Sequence, residues 1–127
     1  MHKLIIFDLD GVLLDSRDLH YDALNDALRK VGEQYVITRE EHLSKYDGLN
    51  TTKKLQMLSE DKGLPAEYYN QIWQDKQQAT FRLIPSAPQN KDIYYIVHQL
   101  KKSGWKVAVA SNSIRETVRI ALDSLDI

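Results

Sequence analysis

A chain of 127 residues, 43% hydrophobic and 28% charged, has the size and balance of one globular domain able to bury a core. Its 17 basic and 18 acidic side chains are mixed along the sequence and leave a net charge of −1, which gives no electrostatic grip on nucleic acid or on an anionic membrane. With no cysteine, disulfides, thiolate catalysis and cysteine zinc sites are excluded.

The run Leu4-Ile5-Ile6-Phe7 is apolar throughout and too short for a helix. Closed by Asp8-Leu9-Asp10-Gly11, it predicts a strand over about 3–8, buried on both faces as in a parallel sheet. The same run is too short for a signal peptide or a membrane span, so a cytoplasmic location is expected. From Ser16 to Val31 the positions Leu19, Ala23, Leu24, Ala27, Leu28 and Val31 hold helical spacing, and Gly32 is the stop. Thr38 with Glu41 forms a capping box for a short helix through about Tyr46, which Gly48 breaks. Asn50 or Thr51 caps the next helix, which carries Leu55 and Leu58. Pro65 suits the first turn of a fourth helix, with Tyr68, Tyr69, Ile72 and Trp73 turned inward. After the link from Pro85 to Pro88, Ile93, Ile96, Val97 and Leu100 mark a fifth helix. A second strand over about 105–110 ends in Ser111-Asn112, and Ser113 with Glu116 reads as a capping box for a sixth helix.

This order predicts an α/β fold: a partial Rossmann-like parallel sheet with an inserted four-helix cap. The core takes residues 1–15 and 83–127, and the helical cap takes 16–82. Helices inserted after the first strand belong over the carboxyl end of the sheet, where α/β folds place their ligands.

Both strands end in polar residues at that edge. Asp8 and Asp10 are two residues apart where an extended chain leaves the sheet, so both can point the same way. Two carboxylates so close repel each other unless a cation or a shared proton intervenes. Magnesium suits them, being a hard ion that takes oxygen ligands and is completed by phosphate and water. Ser111 offers a hydroxyl beside a helix N-terminus, whose free N–H groups and dipole favour an anion.

These features resemble the haloacid dehalogenase superfamily. Its first motif, DxDG after an apolar strand, stands as Asp8-Leu9-Asp10-Gly11, and its second, a Ser or Thr ending a later strand, as Ala110-Ser111-Asn112. The resemblance implies that Asp8 is the nucleophile and Asp10 the general acid and base. It implies that the Asp8 carboxylate and the Asp10 backbone carbonyl bind Mg2+, and that Ser111 with Asn112 holds the phosphate. An acid at position 10 resembles the phosphatases and phosphomutases of the superfamily rather than its dehalogenases or cation pumps. Asp15-Ser16 with His20 resembles the hinge and first cap helix of the β-phosphoglucomutase-like and phosphoglycolate-phosphatase-like branch. Asp47-Gly48-Leu49-Asn50-Thr51 resembles its substrate-facing cap loop. His20, Gly48, Asn50 and Thr51 are therefore candidate substrate contacts. His20 reads first as a packing or solvated histidine, and Asn50 and Thr51 read equally as a plain helix cap.

The implied activity is a magnesium-dependent phosphatase acting on a small phosphorylated metabolite through an aspartyl-phosphate. A phosphomutase is the second possibility and a non-catalytic phosphate- or partner-binding module the third. The superfamily's third motif, a lysine, and its fourth, a pair of acids, follow the second motif on later strands. Neither is found before Ile127, so the sequence resembles the front portion of such an enzyme and is expected to turn over poorly alone.

Overall fold

The computed structural model describes residues 3–87, 91–111 and 113–126, with Arg17 described by its backbone only. It divides into two compact units, Met1–Leu19 with Phe81–Ile127 and, between them in sequence, His20–Thr80.

In the first unit, β1 (Leu4–Asp8) and β2 (Lys106–Ala110) pair in parallel, with Ile5 opposite Val107, Phe7 opposite Val109 and Asp8 opposite Ala110. Side chains alternate between the two faces of a strand. Phe7, Val107 and Val109 face a core of Leu9, Leu13, Leu14, Leu19, Ile84, Val97, Ala121 and Leu125. The other face carries Leu4 and Ile6, which are 57% and 60% exposed. The expectation of a strand buried on both sides is thus corrected. β1 pairs with one strand only, and nothing among the described residues covers its second face.

The helices of this unit are α5 (Lys91–Lys102) and α6 (Arg115–Leu125). Of the four inward positions expected on α5, Val97 is fully buried, whereas Ile96 is 45% exposed beside the exposed Tyr94 and Tyr95. The capping box expected at Ser113 does not form. The chain enters α6 through Ile114, which supplies no side-chain cap, and the Ser113 hydroxyl is directed elsewhere.

The second unit is helical. Its helices are α1 (Arg17–Val31), which begins in the first unit, α2 (Arg39–Glu41), α3 (Thr51–Lys62) and α4 (Tyr69–Leu83), which ends in it. Leu24, Ala27, Leu28, Ile37, Tyr46, Leu55, Leu58, Leu64 and Ile72 form its core. α2 passes directly into a π-helical segment, His42–Tyr46, closed by the Asp47 N–H donating to the His42 carbonyl at 2.8 Å. The sequence led us to expect a continuous α-helix there. The wider turn brings both His42 and Tyr46 to buried positions, and the Tyr46 hydroxyl reaches the Asp61 carboxylate at 2.9 Å. Burial first, and then that acid, push the Tyr46 hydroxyl above its ordinary pKa. α4 begins later than expected, because Pro65 opens a 3-10 turn, Ala66–Tyr68. Ile72 is buried as expected, but Tyr68 and Trp73 are each 39% exposed, since the buried stripe of α4 runs through Ile72, Lys76, Ala79 and Thr80.

The capping box at Thr38 is present in full. The Glu41 N–H donates to Thr38 Oγ1 at 3.2 Å, and the Thr38 N–H donates to Glu41 Oε1 at 3.0 Å. Lys62 also reaches Glu41, at 3.0 Å. The Thr38 N–H, and then Lys62, hold the Glu41 carboxyl below its ordinary 4.5. A carboxyl depressed in the folded state stabilises above its unfolded pKa, and that contribution is lost as pH falls through the folded value. Glu41→Ala, which removes that carboxyl, is therefore expected to lose about 1 kcal/mol at pH 7. The gap to the parent in urea unfolding should narrow below pH 4.5; a gap that does not change with pH would show that the Glu41 charge contributes nothing to it.

Candidate active site

The carboxyl end of β1 runs directly into a compact turn. Val12, Leu13 and Leu14 all return their N–H groups to the Leu9 carbonyl, and the Gly11 N–H donates to the Leu14 carbonyl at 2.8 Å. This closure needs Gly11 at φ +80, a backbone region costly for other residues. It buries Leu9, Leu13 and Leu14, and so fixes the residues between them.

Asp8, the last residue of β1, is exposed, and its Oδ1 accepts the Leu9 N–H at 2.8 Å. Asp10 lies in the turn, half-buried, and its Oδ2 accepts the Ser113 hydroxyl at 3.2 Å across 103 residues of sequence. Ser111 follows β2, half-buried, with its Oγ accepting the Ser113 N–H at 3.0 Å. The two strand ends are thus tied through Ser113: its backbone holds Ser111 and its side chain holds Asp10. Asn112 lies outside the described residues. Ser113 was legible only as a helix cap, and its link to Asp10 depends on the pairing of two distant strands.

Lys3 precedes β1 and Lys106 begins β2, on the order of 13 Å or more from the Asp8 end at 3.3 Å per residue, with Lys3 over the Trp105 ring. Among the described residues no group of three or more His, Asp or Glu side chains is placed to hold a metal.

The other predicted residues lie in the helical unit. His20 is half-buried on α1. Gly48 has φ +79, permitting the sharp exit from the π-helical segment. The Asn50 side chain accepts the Lys53 N–H at 2.8 Å, so it is a helix cap as the bland reading held. Thr51 accepts a hydrogen bond from Lys76 Nζ at 3.0 Å. Two residues not expected to be buried stand here, Lys54 and Lys76, only 6% and 8% exposed. The available signal was register: Lys76 is four residues beyond buried Ile72, and Lys54 adjoins buried Leu55.

With this geometry in place, comparison decides the family. The model of the haloacid dehalogenase-like hydrolases matches residues 5–127, nearly the whole chain. The chain belongs to that family. Over 126 residues it is 31% identical to a phosphoglycolate phosphatase of Aquifex aeolicus, covering 98% of this chain and 56% of that protein. The fold resembles CbbY of Rhodobacter sphaeroides, solved as a variant in complex with xylulose-1,5-bisphosphate, with a TM-score of 0.82 and 22% identity. That match covers 98% of this chain and 57% of CbbY. A hydrolase of Pseudomonas syringae matches with a TM-score of 0.72 at 23% identity, over 100% of this chain and 56% of the other. The chain therefore spans a little over half the length of these relatives. No described helix is long and apolar enough to cross a membrane.

Proposed function

We infer that this chain carries the nucleophile half of a magnesium-dependent phosphatase that acts on a small phosphorylated metabolite. One observation carries the reading: Asp8 and Asp10 leave the same strand end in different environments. Asp8 is exposed, with one oxygen oriented by the Leu9 N–H, which leaves the other to approach phosphorus. Asp10 is half-buried and held by the Ser113 hydroxyl. Carboxyl groups in unlike surroundings can divide nucleophile and acid–base roles.

In the first step an Asp8 oxygen attacks phosphorus, the ester P–O bond breaks, and Asp10 gives its proton to the leaving alkoxide. In the second, Asp10 takes a proton from water as the water attacks the aspartyl-phosphate, releasing phosphate and restoring Asp8. Ser111 and Asn112 bind phosphate oxygens, and the helical unit His20–Thr80 is the substrate-selecting cap, with His20, Gly48, Asn50 and Thr51 as candidate contacts. The oxygen donors fit magnesium, which keeps several waters and needs only one or two protein carboxylates. The Asp8 carboxylate and the Asp10 carbonyl would hold it, and when bound it offsets charge on the phosphoryl oxygens. The small-metabolite class is supported by the Aquifex relative, named for phosphoglycolate.

A second reading, a phosphate-binding module without turnover, is favoured by the position of Lys3 and Lys106 away from Asp8. In the family resemblance the cation opposing the phosphoryl group comes from later sequence. Hydrolysis of p-nitrophenyl phosphate separates the two readings. The expected result is release above the buffer rate that stops on chelation and returns with added magnesium. Release that persists in chelator would refute the magnesium assignment, and phosphate binding without release would establish the module.

A further inference from the structure

A carboxyl group that moves a proton must face one direction, and an aspartate does not set that direction by itself, because its terminal torsion is broad and roughly two-fold. The turn after β1 fixes the Asp10 backbone: Leu9 is fully buried, and the Gly11 N–H is tied to the Leu14 carbonyl at 2.8 Å. It does not fix the carboxyl. The Ser113 hydroxyl donates to Asp10 Oδ2 at 3.2 Å, and it comes from beyond the end of β2. Asp10 has other interactions besides, but this bond ties one of its oxygens to a partner outside the turn. A serine in front of a helix ordinarily caps it. Yet α6 is entered through Ile114, which offers no side-chain cap, and the nearby Ser113 hydroxyl serves Asp10 instead. The Ser113 backbone is engaged as well, its N–H donating to Ser111 Oγ at 3.0 Å. That bond occupies an acceptor site of the Ser111 hydroxyl and leaves its hydrogen to be donated. A local preference set aside for a partner 103 residues away is the pattern expected at a functional site.

We propose that Ser113 is a positioning residue of this site: its hydroxyl holds the Asp10 carboxyl in one orientation, while its N–H keeps the Ser111 hydroxyl set as a donor. One residue thereby fixes both the group that moves the proton and a group that binds phosphate, without itself touching a reacting atom. Its two contacts are separable, because replacing the side chain removes the bond to Asp10 and keeps the backbone bond to Ser111. The proposal rests on the phosphatase reading for the tasks of Asp10 and Ser111, but not for what Ser113 holds.

The test compares the 127-residue chain with Ser113→Ala and Ser113→Thr on two esters, with magnesium present. The p-nitrophenolate of p-nitrophenyl phosphate leaves without a proton, whereas the alkoxide of glycerol 2-phosphate needs one. Ser113→Ala is expected to lose about tenfold more in kcat on the glycerol ester than on the aryl ester. KM should change little, since the bond to Ser111 remains. Ser113→Thr, which keeps a hydroxyl, should recover most of the difference. An equal loss on both esters, a loss confined to KM, or a Thr variant no better than Ala would overturn the positioning role and leave the phosphatase reading intact. A second measurement does not depend on turnover. In crystal structures the Asp10 carboxyl should take one orientation in the parent and in Ser113→Thr, and turn or split in Ser113→Ala. An unmoved carboxyl overturns the proposal whatever the rates. A parent that hydrolyses neither ester overturns the phosphatase reading, and the carboxyl orientation then decides by itself whether Ser113 holds Asp10.

Discussion

Asp8→Asn is expected to lower magnesium-dependent phosphate release by ~10^4-fold or more, on the order of 5 kcal/mol of transition-state stabilisation. The amide oxygen can still accept the Leu9 N–H, so the turn keeps its shape. What is lost, on the proposed mechanism, is the anionic oxygen that would bond to phosphorus. Asp10→Asn should act differently, because its proposed role is to move a proton. Its amide oxygen can still accept from Ser113, and the expected loss is ~10^2- to 10^3-fold. Leaving-group acidity separates the two: Asp10→Asn should recover rate on aryl phosphates with acidic phenols, which need no proton, and Asp8→Asn should not. Equal recovery in both, or a parent-like rate in Asp8→Asn, would remove Asp8 from the nucleophile role.

The second large effect lies in the helical unit and concerns stability. Asn25 is 2% exposed on α1 and exchanges two hydrogen bonds with Ile37, itself 2% exposed. The Ile37 N–H donates to Asn25 Oδ1, and Asn25 Nδ2 donates to the Ile37 carbonyl, both at 2.9 Å. The side chain thus does for an irregular segment what a neighbouring strand would do. Asn25→Ala leaves a buried N–H and a buried C=O without partners, each worth about 1–3 kcal/mol. The expected loss is about 3 kcal/mol, with Tm lower by roughly 10 °C. Urea unfolding should show a lower midpoint with an unchanged slope. A loss below about 1 kcal/mol would mean that water replaces both bonds.

Local signals carried the fold well where they were local in fact. The Thr38–Glu41 box, the Asn50 cap and the two strand ends at Asp8 and Ala110 all follow from neighbours in sequence. The π-helical segment was not legible, because His42 to Tyr46 also suits an α-helix, and the choice is made by where Tyr46 packs. Tyr68 and Trp73 misled because aromatic residues at helical spacing look like core, whereas the stripe actually buried includes Lys76 and Thr80. In the candidate site Asp8, Asp10 and Ser111 were legible as a motif. The role of Ser113 was not, since its partner is fixed only once β1 and β2 pair. The burial of Lys54 and Lys76 was not legible for a related reason: charge argues for solvent, and only tertiary packing overrules it.

The bond between Ser113 and Asp10 also orders events in time. It joins groups separated by 103 residues, and β1 finds β2 only across the same span. On the ribosome, at roughly 5–20 residues per second, the whole segment His20–Thr80 emerges before the second strand is made. The sheet must wait for a long-range encounter. Until then Leu4, Ile5, Ile6 and Phe7 form an apolar strand with no partner, the part of the nascent chain most in need of protection from other chains. The bond between Asp10 and Ser113 thus forms only after the helical segment has been made.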